Sequence, residues 1–326
     1  CNMNIWYLNH YSTPPSCGAY GRPYYLARSL QKHGANVIVF CASIHHGRIT
    51  AAPIDQLRRP VVNEWVTYYH LPTRSYKGNG LMRILNMLDY AREIKKLKFP
   101  VDSGLLQKPD ILIPSCVHPF SYVSARALAR RYKAKLIYEV RDIWPLSLVE
   151  MLDTPRWHPL VLWLDYIERS AYRYADAVVS LLPNALEHMQ SRGLTEDRFT
   201  YISNGISIEE FEEPHPPLPA EHQMVFDKVR RSGKLIVVYT GSHGPGDALD
   251  QIFTLKQLYP QSDPPYHFIL IGDGTSKDEL VHQAVKQNVT FVTFLPRITK
   301  KQVATALKQA DVFFISTKSF TIWKVV

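Results

Sequence analysis

His118, Glu139, Arg141, Asp142 and Trp144 fall within one stretch, residues 109–145, PDILIPSCVHPFSYVSARALARRYKAKLIYEVRDIWP. An imidazole near carboxylates and a guanidinium can move protons, orient a hydroxyl or hold an anion. Asp110–Pro114 reads as a buried strand that delivers Ser115, Cys116 and His118 to a loop stiffened by Pro114 and Pro119. A helix over Phe120–Tyr132 follows. A second strand, Lys135–Val140, then delivers Arg141, Asp142 and Trp144. In a parallel sheet both loops lie at the carboxyl ends of the strands, where ligands bind. Alternation turns Glu139 and Arg141 to one side and Val140 and Asp142 to the other. His118 and Asp142 are the candidate catalytic residues. An internal arginine–carboxylate pair is the structural alternative for the second loop.

Three further loops could take an anion. Residues 12–34, STPPSCGAYGRPYYLARSLQKHG, place Gly18 and Gly21 ahead of a helix start. Free amide N–H groups and the helix dipole favour phosphate there. The spacing is not GxGxxG, so a dinucleotide fingerprint is absent. YTGSHGPG, residues 239–246, is an equivalent strand end offering Gly241, Ser242 and His243, and Ile271-Gly272-Asp273-Gly274 is a third. Each could equally be a βα turn with permissive glycines.

Residues 79–98, NGLMRILNMLDYAREIKKLK, read as one amphipathic helix with Leu81, Ile84, Leu85, Leu88, Ala91 and Ile94 on its apolar face. Arg92, Lys95, Lys96 and Lys98 make the opposite face basic, which suits an anionic membrane surface. A core-packed helix with a solvated basic face is the competing reading.

The elements that must position these groups alternate. Strands are expected at Met3–Leu8, Asn36–Cys41, Val61–Leu71, Asp110–Ser115, Lys135–Val140, Ala177–Leu182 and Phe199–Ser203, with helices between them. That rhythm implies a parallel sheet covered on both faces, a Rossmann-like lobe. Glu212–Pro219, EEPHPPLP, has four prolines in its last six residues and reads as linker. The rhythm then restarts, with strands expected at Lys234–Thr240, Tyr266–Ile271, Thr290–Leu295 and Asp311–Ser316 and helices at Ala248–Leu258, Lys277–Gln287 and Lys300–Gln309. The expected organisation is therefore α/β: a first lobe over 1–211, a linker over 212–232, and a second lobe over 233–326. About two further strands would complete that second lobe.

Composition sets the outer bounds. A chain of 326 residues with 46% hydrophobic content can build two cores. A net charge of +9 points to phosphates or lipid headgroups. No helix-turn-helix, zinc-finger or aromatic RNA-binding motif supports nucleic acid. Four cysteines without pairing or metal spacing fit a reducing compartment. Neither a signal peptide nor an apolar run of spanning length is evident.

The order of LARSLQKHGANVIVF, HPF, EVRDIWP, ADAVVSLLPNALEHM, FTYISNGI, YTGSHG, IGDG and ADVFF resembles GT-B glycosyltransferases of family 4 along essentially the whole chain. RDIWP with GSHGPGDALD is similar to the subgroup holding WbuB-type fucosaminyltransferases of bacterial surface-polysaccharide synthesis. The resemblance implies two Rossmann-like lobes, the first binding the acceptor and the second a nucleotide sugar, usually UDP-linked. It implies retention of configuration, no divalent metal and no cofactor beyond the donor substrate.

Residue by residue, Gly18 would meet the donor diphosphate, with Gly241, Ser242 and His243 opposite it. His118 would sit beside the transferred sugar. Gly272, Phe294 and Leu295 would hold the nucleobase edge. Glu139, Arg141 and Trp144 would lie on the acceptor side. Ser242 and His243 stand where many relatives carry an arginine, and a following lysine is not evident. The implied acceptor is a lipid-linked saccharide of O-antigen or capsule synthesis, and the implied location is the cytoplasmic face of the cell membrane. Relatives continue to a glutamate-rich signature, E-x7-E, that is missing after ADVFF. Truncation is therefore expected, and an inactive acceptor- or partner-binding protein is an alternative. A nucleotide-sugar 2-epimerase is another.

Overall fold

Ile5 and Tyr7 turn to one face of the first strand and Trp6 and Leu8 to the other, and all four are buried. A strand so covered on both faces belongs inside a parallel sheet. The computed structural model describes residues 3–17, 21–46, 48, 50–76, 78, 80–98, 106–151, 154–259 and 263–318. The chain divides after Gly205 into two units.

The first unit runs β1 (Asn4–Leu8), α1 (Arg22–Lys32), β2 (Asn36–Ala42), β3 (Pro60–Asn63), β4 (Val66–Leu71), α2 (Leu81–Lys96), β5 (Ile111–Cys116) and α3 (Phe120–Tyr132). It continues with β6 (Lys135–Val140), α4 (Leu146–Met151), α5 (Pro159–Tyr174), β7 (Ala177–Ser180), α6 (Ala185–Ser191) and β8 (Phe199–Tyr201). The sheet order is β3-β4-β2-β1-β5-β6-β7-β8. All neighbours are parallel except β3 with β4.

One core joins Trp6, Leu8, Phe40 and Leu112 to Tyr90 and Ile94 of α2 and Leu128 of α3. The other joins Tyr7, Val37, Val39 and Tyr68 to Tyr24 and Ala27 of α1. Each large apolar side chain so enclosed contributes about 1.5–3 kcal/mol over its exposed state. The single strand expected over Val61–Leu71 is instead a hairpin. Asn63 pairs with Val66, and Glu64 between them takes a left-handed φ of 54° that reverses the chain.

The second unit holds α7 (Ile208–Glu212), α8 (Ala220–Arg231), β9 (Leu235–Ser242), β10 (Tyr266–Asp273), α9 (Lys277–Lys286), β11 (Val292–Leu295), α10 (Lys300–Leu307) and β12 (Val312–Phe313). Its smaller sheet, β11-β10-β9-β12, is parallel throughout. The expected linker over 212–232 is helical in its second half. Phe226 and Val229 of α8 pack on Ile236, Val238 and Ile269, and that apolar face ties the segment to the sheet. The helix expected at Ala248–Leu258 is a 3-10 helix over Leu249–Leu258 that buries Leu249, Ile252 and Phe253, near the three-residue repeat of that geometry.

Candidate functional site

The chain leaves β1 for β2 and β4 on one side of the first sheet and returns to β5 on the other. The reversal places a topological switch point between β1 and β5, where open α/β sheets bind ligands. Asn9 and His10 follow β1, and Ser115 and His118 stand at and just beyond the end of β5. Asn9 Nδ2 donates to Ser115 Oγ at 2.8 Å, and His10 Nδ1 lies 2.5 Å from His118 Nε2. Asn9 and His10 were missed from sequence, although the strand-end rule that singled out His118 applies equally to LNHYS.

His118 is 1% exposed. Burial, and then the charge of Arg83, pushes it down to about 3. Burial, then His118 and His45, also holds His10 well below its ordinary value. Both rings are neutral at pH 7. Of the roles the sequence left open, a neutral ring suits orienting a hydroxyl rather than moving protons. One N–H bridges His10 Nδ1 and His118 Nε2, and His118 Nδ1 has no partner among the described residues. A neutral His118 gives or takes a hydrogen bond at Nδ1 and is not an acid at pH 7. His10 stacks on Tyr11 and Tyr90, with centroids 4.4 and 4.6 Å away, which fixes its ring.

Glu139 is buried at the end of β6 and is not open to an acceptor. Its Oε1 accepts from Arg22 Nε at 2.8 Å and its Oε2 from Tyr7 Oη at 2.6 Å. Arg22 also donates to Ser203 O at 2.8 Å. The sequence alternative of an internal ion pair is thus realised, but with Arg22 of α1 rather than Arg141. Asp142 keeps an exposed surface, yet desolvation raises its carboxyl, with Arg141 pulling the other way. Arg141 and Trp144 are half-buried, and the Trp144 Nε1 has no partner among the described residues. Gly18 lies outside the described residues.

Of the apolar face expected for α2, Ala91 and Ile94 join Met87 and Tyr90 in the core, Ile84, Leu85 and Leu88 are half-buried, and Leu81 is exposed. Arg92, Lys95, Lys96 and Lys98 are exposed. Lys96 pairs with Glu93 at 2.6 Å and Arg92 lies 3.9 Å from Asp89.

In the second unit the switch point falls between β9 and β12. Lys318 N donates to Gly246 O and Ser316 Oγ to Ala248 O across it. Gly241 and Ser242 are exposed there. The His243 ring is fully buried, about 6 Å from the rings of Tyr239 and Phe294. Burial and Lys277 lower its pKa, so it brings no positive charge to this loop at pH 7.

Gly272 and Gly274 serve close approach. A Cβ on Gly272 would meet Gly241 O at 1.8 Å, and one on Gly274 would meet the His243 backbone at 2.5 Å. Lys277, at the start of α9, donates to Gly272 O at 2.8 Å and to Leu295 O at 3.0 Å. A lysine opening a helix opposes the dipole, and that oddity was the available signal for a cation anchored on the strand ends. Phe294 is half-buried and Leu295 buried at the end of β11. Among the described residues no three His, Cys, Asp or Glu side chains group as a metal site.

The model of the Glycosyltransferase Family 4 domain matches residues 22–210, more than half of the chain. The chain belongs to glycosyltransferase family 4. No curated protein sequence matches the chain. Among solved structures, Anabaena Alr3699/HepE in complex with UDP and glucose is 13% identical with a TM-score of 0.59, over 98% of this chain and 75% of that one. A structure described as trehalose-6-phosphate from E. coli, bound with UDP-2-fluoro glucose, is 14% identical with a TM-score of 0.67, over 96% and 78%. The lipopolysaccharide outer core galactosyltransferase WaaB is 13% identical with a TM-score of 0.51, over 97% and 74%. The glycosyltransferase therefore shares the GT-B fold with proteins solved with UDP and UDP-sugars.

Proposed function

We propose that this glycosyltransferase moves a sugar, with retention of configuration, from a UDP-linked donor to a lipid-linked saccharide in bacterial surface-polysaccharide synthesis. The second unit would take the donor and the first the acceptor. The acceptor hydroxyl attacks the anomeric carbon on the face from which the diphosphate departs. A carbon–oxygen bond to the acceptor forms as the bond to phosphate breaks, and the hydroxyl proton passes to the leaving phosphate oxygen. Catalysis then rests on positioning and on donors aimed at the developing charge, without a divalent metal.

The observation that carries this reading is the His10–His118 pair at the switch point of a family 4 chain. His118, neutral and with an unpartnered Nδ1, suits orienting a sugar hydroxyl rather than transferring a proton. Asp142, with its raised carboxyl and exposed edge, is the proposed second contact to the reacting groups. Gly241 and Ser242 offer main-chain and hydroxyl donors for the diphosphate, and Phe294 and Leu295 offer backbone edges for the base. An amino-deoxyhexose donor, as in WbuB-type enzymes, is the preferred sugar class.

Membrane-surface binding is the remaining part of the proposal. No helix among the described residues is long and apolar enough to cross a membrane. The exposed cations Arg92, Lys95, Lys96 and Lys98 supply charge for an anionic surface. Trp157 and Tyr166, both strongly exposed, supply interfacial aromatics.

The test is release of UDP from a panel of UDP-sugars with and without a lipid-linked saccharide. Acceptor-dependent release supports transfer. Epimer formation without acceptor would replace it with 2-epimerase chemistry.

A further inference from the structure

A cavity of about 400 Å³ opens in the first unit, behind the loops that follow β2 and β4. Its polar lining comes from His45, His46, Arg48, Thr50, Tyr76 and Arg83. No carboxylate lines it among the described residues. Arg48 is 9% exposed, and its Nε donates to Thr50 O at 3.0 Å. Both Nη atoms of Arg48 are buried without a partner among the described residues. A buried guanidinium normally has its donors satisfied. Two open donors on one fork match two oxygens of a phosphate or carboxylate.

The surrounding groups add donors and no negative charge. Tyr76 Oη accepts from the His46 backbone N–H at 3.2 Å and lies 3.0 Å from His46 Nδ1. With the hydroxyl donating to Nδ1, the His46 ring keeps its proton on Nε2 as a further donor. Arg83 Nε donates to Tyr11 Oη at 3.2 Å. Arg48 and Arg83 are the charged groups among its described lining residues. Burial first, then Arg48, His46 and His70, lower His45 to about 3, and burial with Arg48 lowers His70 to about 4.

The cavity also adjoins the switch-point histidines. Tyr11 packs on His46 at 4.6 Å and on His10 at 4.4 Å between centroids, and His45 lies 6.5 Å from His10.

We propose that this cavity is an anion subsite, built on Arg48 with Arg83 and His46, for the phosphate or diphosphate group of the acceptor. The acceptor is then a phosphorylated molecule whose reacting hydroxyl lies toward His118 while its phosphate is held on Arg48. This rests on the proposed acceptor role of the first unit; the anion subsite itself does not.

Calorimetry on the full chain tests it, with inorganic pyrophosphate titrated in the presence of saturating UDP so that any donor site is already filled. Wild type is expected to bind pyrophosphate, and Arg48→Gln to weaken that binding at least tenfold while UDP affinity stays unchanged. Arg48→Gln is also expected to melt no lower than wild type without anion, because it removes an uncompensated buried charge. Should that variant fail to fold, His46→Gln serves, with an expected several-fold loss. No pyrophosphate binding by wild type, or equal binding by wild type and both variants, would overturn the subsite. If UDP does not bind, the donor reading fails, and the pyrophosphate titration still reads the subsite.

Two arms then separate the sources: a sugar phosphate in solution, and neutral vesicles carrying a prenyl diphosphate. Binding that Arg48→Gln abolishes in one arm names the source. Arg48-dependent binding of neither overturns the acceptor assignment.

Discussion

His10 Nδ1 and His118 Nε2 lie 2.5 Å apart and join the loops after β1 and β5 where the order of the first sheet reverses. Removing one ring leaves a buried nitrogen unpaired, which costs about 1–3 kcal/mol. His10→Phe and His118→Phe are each expected to lose that much. The double variant should lose less than the sum, with a coupling of about 0.5–3 kcal/mol by urea denaturation. Strict additivity would show that the contact contributes nothing. Transfer activity separates the roles, since His118→Asn keeps a group that can donate or accept and is expected to retain more activity than His118→Phe at equal folded fraction.

The same burial predicts acid sensitivity. His45 and His118 fall to about 3 and His70 and His267 to about 4 in the folded chain. Unfolded histidine titrates near ~6.5. Between those limits the unfolded state binds more protons, so stability falls as pH drops from about 6.5 toward about 3. Each such histidine contributes up to about 1.4 kcal/mol per pH unit within its window. Urea midpoints at pH 7.0 and 5.0 are expected to differ clearly, and His45→Gln to narrow the gap. A flat profile would contradict the neutral, buried cluster.

Arg22, Glu139 and Tyr7 tie α1 to the sheet. Breaking one side of a buried ion pair costs about 3–5 kcal/mol because the other charge is left alone. Arg22→Met is expected to lie in that range by denaturant unfolding. A loss under about 1 kcal/mol would mean that water or Arg141 replaces the partner.

In the second unit Gly272→Ala drives a methyl onto Gly241 O, whereas a Cβ at Gly246 meets nothing within 4 Å. Gly272→Ala is expected to lower stability by about 3 kcal/mol or more, since the clash is with backbone that has no rotamer to yield. Gly246→Ala should stay within about 0.5 kcal/mol. Paired melting curves check both, and equal behaviour would refute the close approach.

Neutralisation of Lys95 and Lys98 to Gln is expected to weaken binding to anionic liposomes by about 1 kcal/mol per residue. Equal sedimentation with neutral and anionic vesicles would remove the membrane part of the proposal.

Much of this architecture was legible in the residues. Phe120–Tyr132 and Lys135–Val140 match their expected bounds, because continuous apolar runs and helical periodicity carry local information. The hairpin at Glu64 was not legible, since a left-handed glutamate leaves no glycine or asparagine signature. Nor was the helical half of the expected linker, where EEPHPPLP masked the apolar spacing of Phe226 and Val229. At the site, His118 stood out by its position at a strand end. Its partner His10 and the Arg22–Glu139 pair depend on strand order, which is non-local. Lys277 needed the third dimension too, because its acceptors Gly272 and Leu295 belong to different strands.

The central claim is that the second unit grips a nucleotide diphosphate through strand-end groups. Isothermal titration of UDP into the full chain measures it directly. Saturable one-to-one binding is expected, which Gly241→Val abolishes and EDTA leaves unchanged. Absence of heat or competition with UDP and every other nucleoside diphosphate would contradict it.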